Sequence, residues 1–297
     1  MTQLVQTVLL GLLIGGVYAL MASGLTLIFG VLGIVNVAHG AFLVLAALLT
    51  WRVWSLTGLD PLLLTLLTTP LMFALGWVVY RGMVARVRTA PAAMTVVLTF
   101  ALAIVTEGVM TLGWKNVFRS VTPPYTSASF HLGVGGGRLF VPEAQLYACG
   151  VAVLVLGLLY LGLTRTWPGR AIRASADNPQ AAPLVGIDGA AVAGLAFAVG
   201  VATAGAGGTL LSVLYTVFPA SHYTWISRLL GIVVLGGMGS LPGALAGALL
   251  LGVAETITAT YVSLRWSTVV FYVVIMVVLL LRPQGLLGAR LREDVPA

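Results

Sequence analysis

Long apolar runs alternate along this chain with short polar segments, at roughly 4–29, 31–51, 61–80, 93–113, 143–163, 189–217, 226–261 and 266–281. A helix that crosses a bilayer needs about 20 mostly apolar residues, so each run predicts at least one membrane helix. Three of the polar gaps carry arginine triplets: Arg81, Arg86 and Arg88; Arg165, Arg170 and Arg173; Arg282, Arg290 and Arg292. Basic residues that flank spans stay on the cytoplasmic side, which puts all three triplets inside. Two runs separate the first triplet from the second, so 114–142 faces outside. Its Pro123-Pro124 pair and Gly135-Gly136-Gly137 predict an irregular excursion.

Three runs separate the second triplet from the third, where parity requires an even number. The 226–261 run is long enough to be two, and Gly236-Gly237-Met238-Gly239-Ser240-Leu241-Pro242-Gly243 is poor helix material within it. A split there leaves a first piece at about 226–239, roughly 21 Å of helix and short for a crossing. Non-helical backbone at membrane depth survives only inside protein or along a wet cavity, so a broken helix points to a translocation pathway. A similar interruption, from Gly30 through Asn36 and His39 to Gly40, divides the uncharged N-terminal run, and Gly30/Gly33 echo Gly236/Gly239. Two matching breaks suggest an internal duplication. With both breaks the count is about ten segments, two of them short, and both termini lie inside; without the first it is nine, with the N-terminus outside.

The fold class expected is therefore all-α: one polytopic membrane domain over 1–297 with about 8–10 segments. Its halves lie at 1–90 and 189–281, with an outside loop at 114–142, a cytoplasmic loop at 164–188 and a cytoplasmic tail at 282–297. Composition agrees. The 297 residues are 60% hydrophobic and 8% charged, against about a quarter charged in a soluble domain. The formal charge of +7 comes from fourteen Arg and the single Lys115. On a soluble protein that surplus would suggest nucleic acid; here the arginines fall in loops and set orientation, so lipid and not nucleic acid is the expected surrounding. No cationic segment precedes the first run, which speaks against a cleaved signal peptide. Cys149 is alone in the chain and reads as a small core residue.

No enzyme constellation is present. The phosphate-cradling Gly-x4-Gly-Lys-Ser/Thr loop is missing, His39, His131 and His222 are scattered, and no spacing suits a metal. No cofactor is expected. Among ionisable residues in the apolar runs, His39, Glu107 and Glu255 stand out, since a charge inside the membrane is costly. Glu107 precedes Trp114, and Glu255 precedes Arg265, by few enough residues to sit near the outer interface. Each reads either as a structural group, interfacial or paired with another helix, or as part of a pathway. His39 either stabilises the turn or lines the pathway. Trp51, Trp54, Trp114 and Trp266 read as interface belts. The polar island Thr164–Asp188 differs from an ordinary loop: Ala171–Ala176 suits a short helix between Pro168-Gly169 and Asn178-Pro179, and a second short segment spans Gln180–Val185. Such a helix, presenting Arg170 and Arg173, is a docking surface in shape.

These residues together resemble the permease subunits of bacterial ABC importers for branched-chain amino acids. The resemblance is carried in order by Gly16-Val17-Tyr18-Ala19-Leu20, Gly24-Leu25-Thr26-Leu27-Ile28-Phe29-Gly30, Asn36-Val37-Ala38-His39-Gly40, Gly169-Arg170-Ala171-Ile172-Arg173-Ala174 with Asp177-Asn178-Pro179 and Gly186-Ile187-Asp188, the 235–243 segment, and Arg282-Pro283-Gln284-Gly285-Leu286-Leu287-Gly288. It implies a bacterial inner-membrane protein that works with a second homologous permease, two cytoplasmic ATPase subunits that bind the ATP, and an extracytoplasmic solute-binding protein. It also implies that Gly169, Arg170, Arg173, Asn178, Gly186 and Asp188 belong to the ATPase-coupling surface. Pro183 departs from the pattern and leaves the second short helix undefined. Asn36, His39, Gly40, Gly236, Gly237, Gly239, Glu107 and Glu255 are the expected pathway or gate. The other reading is an autonomous carrier or channel in which Glu107, Glu255 or His39 handles protons or ions. Substrates of such permeases include leucine-like and other amino acids, amides and urea, and nothing in the residues reads a side chain.

Overall fold

The computed structural model describes residues 2–87, 90–134 and 137–288; Arg88, Gly135, Gly136, Arg290 and Arg292 lie outside the described residues. Its elements run α1 (Thr2–Leu32), α2 (His39–Thr57), α3 (Pro61–Val79), a π-helical turn Tyr80–Val84 leading into α4 (Ala85–Val87), α5 (Ala92–Trp114), β1 (Ser129–Val134), β2 (Gly137–Pro142), α6 (Glu143–Arg165), α7 (Trp167–Asp177), α8 (Gly189–Leu214), α9 (His222–Gly236), α10 (Leu241–Tyr261) and α11 (Leu264–Leu281). Eight helices among the described residues are long and apolar enough to cross a membrane, and α9, at 15 residues, is a ninth, shorter segment.

Where chain and water meet, the sequence supplies caps for helix N–H groups that have no partner within the helix. Asp60 Oδ1 accepts from Leu62 N (2.8 Å) ahead of α3, Thr166 Oγ1 from Gly169 N (3.2 Å) ahead of α7, and Asp188 Oδ1 from Ala190 N (2.8 Å) ahead of α8. Ser240 and Ser263 do the same for α10 and α11. Tyr125, in the 115–142 loop, donates to the same Asp60 oxygen (3.3 Å), and burial followed by that carboxylate holds its phenol well above the usual range. The starts of α2 and α9 have no side-chain cap.

Helices α1 and α8 form the buried spine, while α3, α5, α6 and α11 turn exposed apolar faces outward, as helices bordering lipid do. The spine closes through small residues, which let membrane helices approach closely. Gly24 lies against Gly200, where an added Cβ would overlap the Gly200 carbonyl and Thr203 Oγ1, and Gly11 and Gly15 face Gly252. Hydroxyls tie α2 and α3 to α8: Thr209 Oγ1 lies 3.0 Å from Thr50 Oγ1 and 2.7 Å from Thr68 Oγ1.

Three expectations are corrected. The outside loop is not wholly irregular: β1 and β2 pair antiparallel, Ser129 opposite Pro142 and His131 opposite Phe140, with β-rich Phe, Leu and Val on both strands. Helix α7 begins at Trp167 and takes in Pro168-Gly169, because a capped first turn tolerates proline. Both chain breaks form, yet the count is nine and not ten. Residues 33–38 are not a helix: Gly33 is left-handed at φ +66° and 37–38 turn into α2, while α1 contacts β2 and brings Gly30, near its C-terminal end, against Gly239.

Candidate functional site

The first break returns the chain into the protein. His39, the first residue of α2, places Nε2 3.0 Å from the carbonyl oxygen of Met21. Met21 lies eleven residues before the inner end of α1, so α2 begins about 16 Å above that end. The extended backbone leading there is fastened to α5: Thr99 Oγ1 accepts from Val37 N and donates to Val35 O, both at 3.3 Å. Asn36 and His39 are fully buried, and neither polar atom of the Asn36 amide has a partner among the described residues.

A second device of the same kind precedes α9. Residues 215–218 leave α8 extended, Val217 exchanges two backbone hydrogen bonds with Arg119 of the 114–142 loop (2.7 and 2.8 Å), and Pro219–Ser221 form a 3₁₀ turn. Helix α9 then opens on buried His222. The two helix starts meet: a Cβ on Gly40 would lie 2.7 Å from Ile226 Cβ and 2.8 Å from the His222 carbonyl oxygen. Two uncapped, partly positive N-termini therefore face each other inside the protein. Glu107 of α5 supplies a counter-charge to one of them, its Oε2 3.1 Å from His222 Nε2 and 3.0 Å from the Tyr223 hydroxyl that donates to it. One face of α5 thus bridges both breaks, since Thr99, Ala103 and Glu107 recur every four residues.

This changes which segments correspond. The counterpart of 33–40 is 215–222, not 236–243. Gly236, Gly237 and Gly239 form the turn between α9 and α10, at the end of the molecule next to the tail. Leu286 N and Leu287 N donate to the carbonyls of Leu235 (2.8 Å) and Gly236 (3.0 Å). Gly237 has φ +101° and leaves no room for a side chain beside Gly288, and Gly239 abuts Gly30.

Glu255 belongs to a third cluster. It pairs with Arg228 of α9, with Arg228 Nη1 2.8 Å from Oε1 and 3.1 Å from Oε2. The Tyr18 hydroxyl accepts from the same Nη1 (2.8 Å), donates to Glu255 Oε2 (3.0 Å) and lies 3.0 Å from the Tyr215 hydroxyl. Arg228, His222, Tyr18 and Tyr215 are absent from the expected set. Arg228 lies inside the 226–261 run and not in a loop as the arginines were expected to, an anomaly visible on hydropathy alone; that it pairs with Glu255, 27 residues on, is not visible there. Among the described residues no three His, Cys, Asp or Glu side chains gather as a metal site would require.

The loop at 164–188 sorts its expected residues into two kinds. Gly169 packs on the Gly162 carbonyl of α6, where a Cβ would overlap. Asn178 Oδ1 accepts from Gln180 N (3.2 Å) and Ala181 N (3.0 Å), setting up a 3₁₀ turn at Ala182–Val185, the form the Pro183 segment takes. Gly186 ends that turn at φ +81°, and Asp188 caps α8. These four shape the loop. Arg170 and Arg173 point outward, as does an apolar tip that the expected set omits, Leu184 at 87% and Val185 at 75% exposed. The inner face of α7 (Ala171, Ile172) packs on α6 and α8, below an apolar cavity of about 500 Å³ between α3, α6 and α8.

A bundle of long apolar helices, two breaks meeting inside it, and a shaped polar loop at one end belong to a multi-pass protein of the cytoplasmic membrane. The chain belongs to the family described as branched-chain amino acid transport system / permease component, whose profile matches residues 7–279. It is 28% identical to the high-affinity branched-chain amino acid transport system permease protein LivH of Salmonella typhimurium, over 94% of this chain and 93% of that protein. It is 29% identical to BraD of Pseudomonas aeruginosa, a protein of the same description, over 95% of both. A probable branched-chain amino acid transport permease protein LivH of Methanocaldococcus jannaschii matches at 26% over 91% of this chain and 88% of its own length. No solved structure matches.

Proposed function

We propose that this chain moves branched-chain amino acids inward as one permease of an ABC importer, energised by two separate ATPase subunits that bind the ATP and fed by an extracytoplasmic solute-binding protein. A second, homologous permease completes the pathway. The observation that carries this reading is the loop 164–188, which holds two outward arginines and the exposed Leu184–Val185 tip on a frame fixed at both ends, by Gly169 against α6 and by the Asp188 cap on α8. A surface that exposes apolar residues in water invites a protein partner. Force applied there reaches α6 and α8 directly.

The pathway gate lies where α2 and α9 meet, and α9 is the part that moves. It is short, and polar ties at His222–Glu107 and Arg228–Glu255 and the tail strap at Leu235–Gly236 hold it. Such ties give a two-state element that nucleotide can bias through the loop. Asn36, His39, Gly40 and Glu107 line this gate. Both carboxylates considered for an autonomous carrier are engaged in pairs, and family membership favours the importer.

Proteoliposomes test the reading. Leucine uptake is expected only with both permeases, ATPases, binding protein and internal ATP. Uptake by this chain alone, driven by a proton or sodium gradient, overturns it.

A further inference from the structure

The cluster around Arg228 keeps hydrogen-bonding capacity that tying α9 to α10 does not use. Its guanidinium makes all its hydrogen bonds, to Glu255 and Tyr18, through the single nitrogen Nη1. Nη2 and Nε have no hydrogen-bond partner among the described residues and are not among the buried unpartnered atoms. A pair built only to clamp two helices would present the guanidinium edge-on, with two parallel bonds to the carboxylate. Here half of the fork is left over. The charges are also not sealed in: the Arg228 side chain is 14% and the Glu255 side chain 17% exposed. Aromatic rings surround them. Trp225 and Phe271 lie 5.6 and 5.5 Å from the guanidinium carbon, and the Tyr215 and Tyr18 rings stand 5.1 and 6.1 Å from that of Trp225.

An α-amino acid crossing a low-dielectric region brings one carboxylate and one ammonium, and each is costly to desolvate unless paired. A resident ion pair answers that need, because it can exchange partners with a zwitterion so that every charge stays matched throughout. We propose that the Arg228–Glu255 pair is the membrane-embedded recognition site for zwitterionic α-amino acids, Arg228 taking the substrate carboxylate on its free Nη2/Nε edge and Glu255 the ammonium. The Tyr18 hydroxyl, already bonded to both residues, holds them in place during the exchange, and the rings accept the aliphatic side chain. The inference rests on the permease reading and narrows it: neutral amides and urea, which carry no such pair of charges, are not handled by this site.

The test is Arg228→Lys in the complete reconstituted importer, with L-leucine as the probe. Lysine keeps the charge and can make the single-nitrogen contact to Glu255, but it has no second edge. The expected result is at least a tenfold fall in leucine uptake and a raised KM for leucine-loaded binding protein. Assembly with the ATPases should be retained. Uptake within twofold of the unsubstituted importer would show a clamp only and overturn the site. Should Arg228→Lys fail to assemble, Glu255→Gln decides in its place: the site predicts a comparable loss, and retained leucine uptake overturns it. Absence of ATP-dependent leucine uptake in the unsubstituted complex would instead defeat the permease reading, and the two failures are told apart by that control.

Discussion

Helices α8 and α9 follow each other in the chain and share one apolar core, but only α9 adds ionisable ties to it. Among its buried positions α8 has glycine, alanine, aliphatic and hydroxyl residues and nothing ionisable, and its stability comes from close packing against α1, α2 and α3. Packing of that density admits one arrangement and resists sliding. The 15-residue α9 has a start without a side-chain cap, a polar tie to each of two neighbouring helices (His222 with Glu107 of α5, Arg228 with Glu255 of α10) and a tail strapped across its end. Alongside an apolar face buried at Trp225, Ile226, Leu229, Ile232, Val233 and Leu235, these ties are polar and exchangeable. The difference teaches where a transporter can move cheaply: a frame made of shape beside a gate made of partners.

Substitutions break or sharpen that contrast. The largest effect is expected from Gly24→Leu, which drives a side chain into Gly200 and Thr203 of α8; forced overpacking costs about 3 kcal/mol or more, read as loss of folded protein in a thermal or detergent unfolding assay. Gly186→Trp strains the left-handed turn and crowds the loop tip. It should leave the protein inserted while uptake and ATPase co-purification fall by about tenfold, a coupling free energy of about 1.4 kcal/mol. Glu107→Gln removes the counter-charge at the start of α9. It should lower stability by about 1 kcal/mol and raise cysteine labelling at buried Ile226→Cys, while labelling within α8 stays unchanged. The smallest effect is expected from Thr209→Val, which removes hydroxyl ties at a cost of about 0.6 kcal/mol without changing transport.

Much of the frame was legible in the sequence, because apolar run length and arginine placement report directly on solvent. The eight runs anticipate the eight long helices, and the 30–40 interruption is where the chain does re-enter. The second re-entry was misplaced. Gly236–Gly243 looks like a break because glycine and proline mark any interruption, whether a buried re-entry or a turn at the surface. The counterpart, 215–222, carries one proline, Pro219, and no glycine, and the backbone of its Val217 is satisfied by Arg119, almost a hundred positions away. The same distance effect hid the site. Glu107 and Glu255 stood out as costly charges, yet His222 and Arg228 become their partners only once α5, α9 and α10 are side by side. In the loop, Asn178, Gly186 and Asp188 were visible as turn chemistry, while the exposed Leu184–Val185 tip reads from sequence as two more aliphatic residues.

The claim that α9 moves against a fixed frame is tested most directly by spin-label distances in the assembled importer, with Cys149→Ala as background. One pair, Tyr223→Cys on α9 with Leu56→Cys on α2, reports the gate; another, Ala191→Cys on α8 with Val78→Cys on α3, reports the frame. Between the nucleotide-free and ATP-trapped states the gate distance should change by about 3 Å or more, the scale of helix shifts in switching proteins, while the frame distance holds. Equal changes in both pairs, or none in the first, would contradict the account.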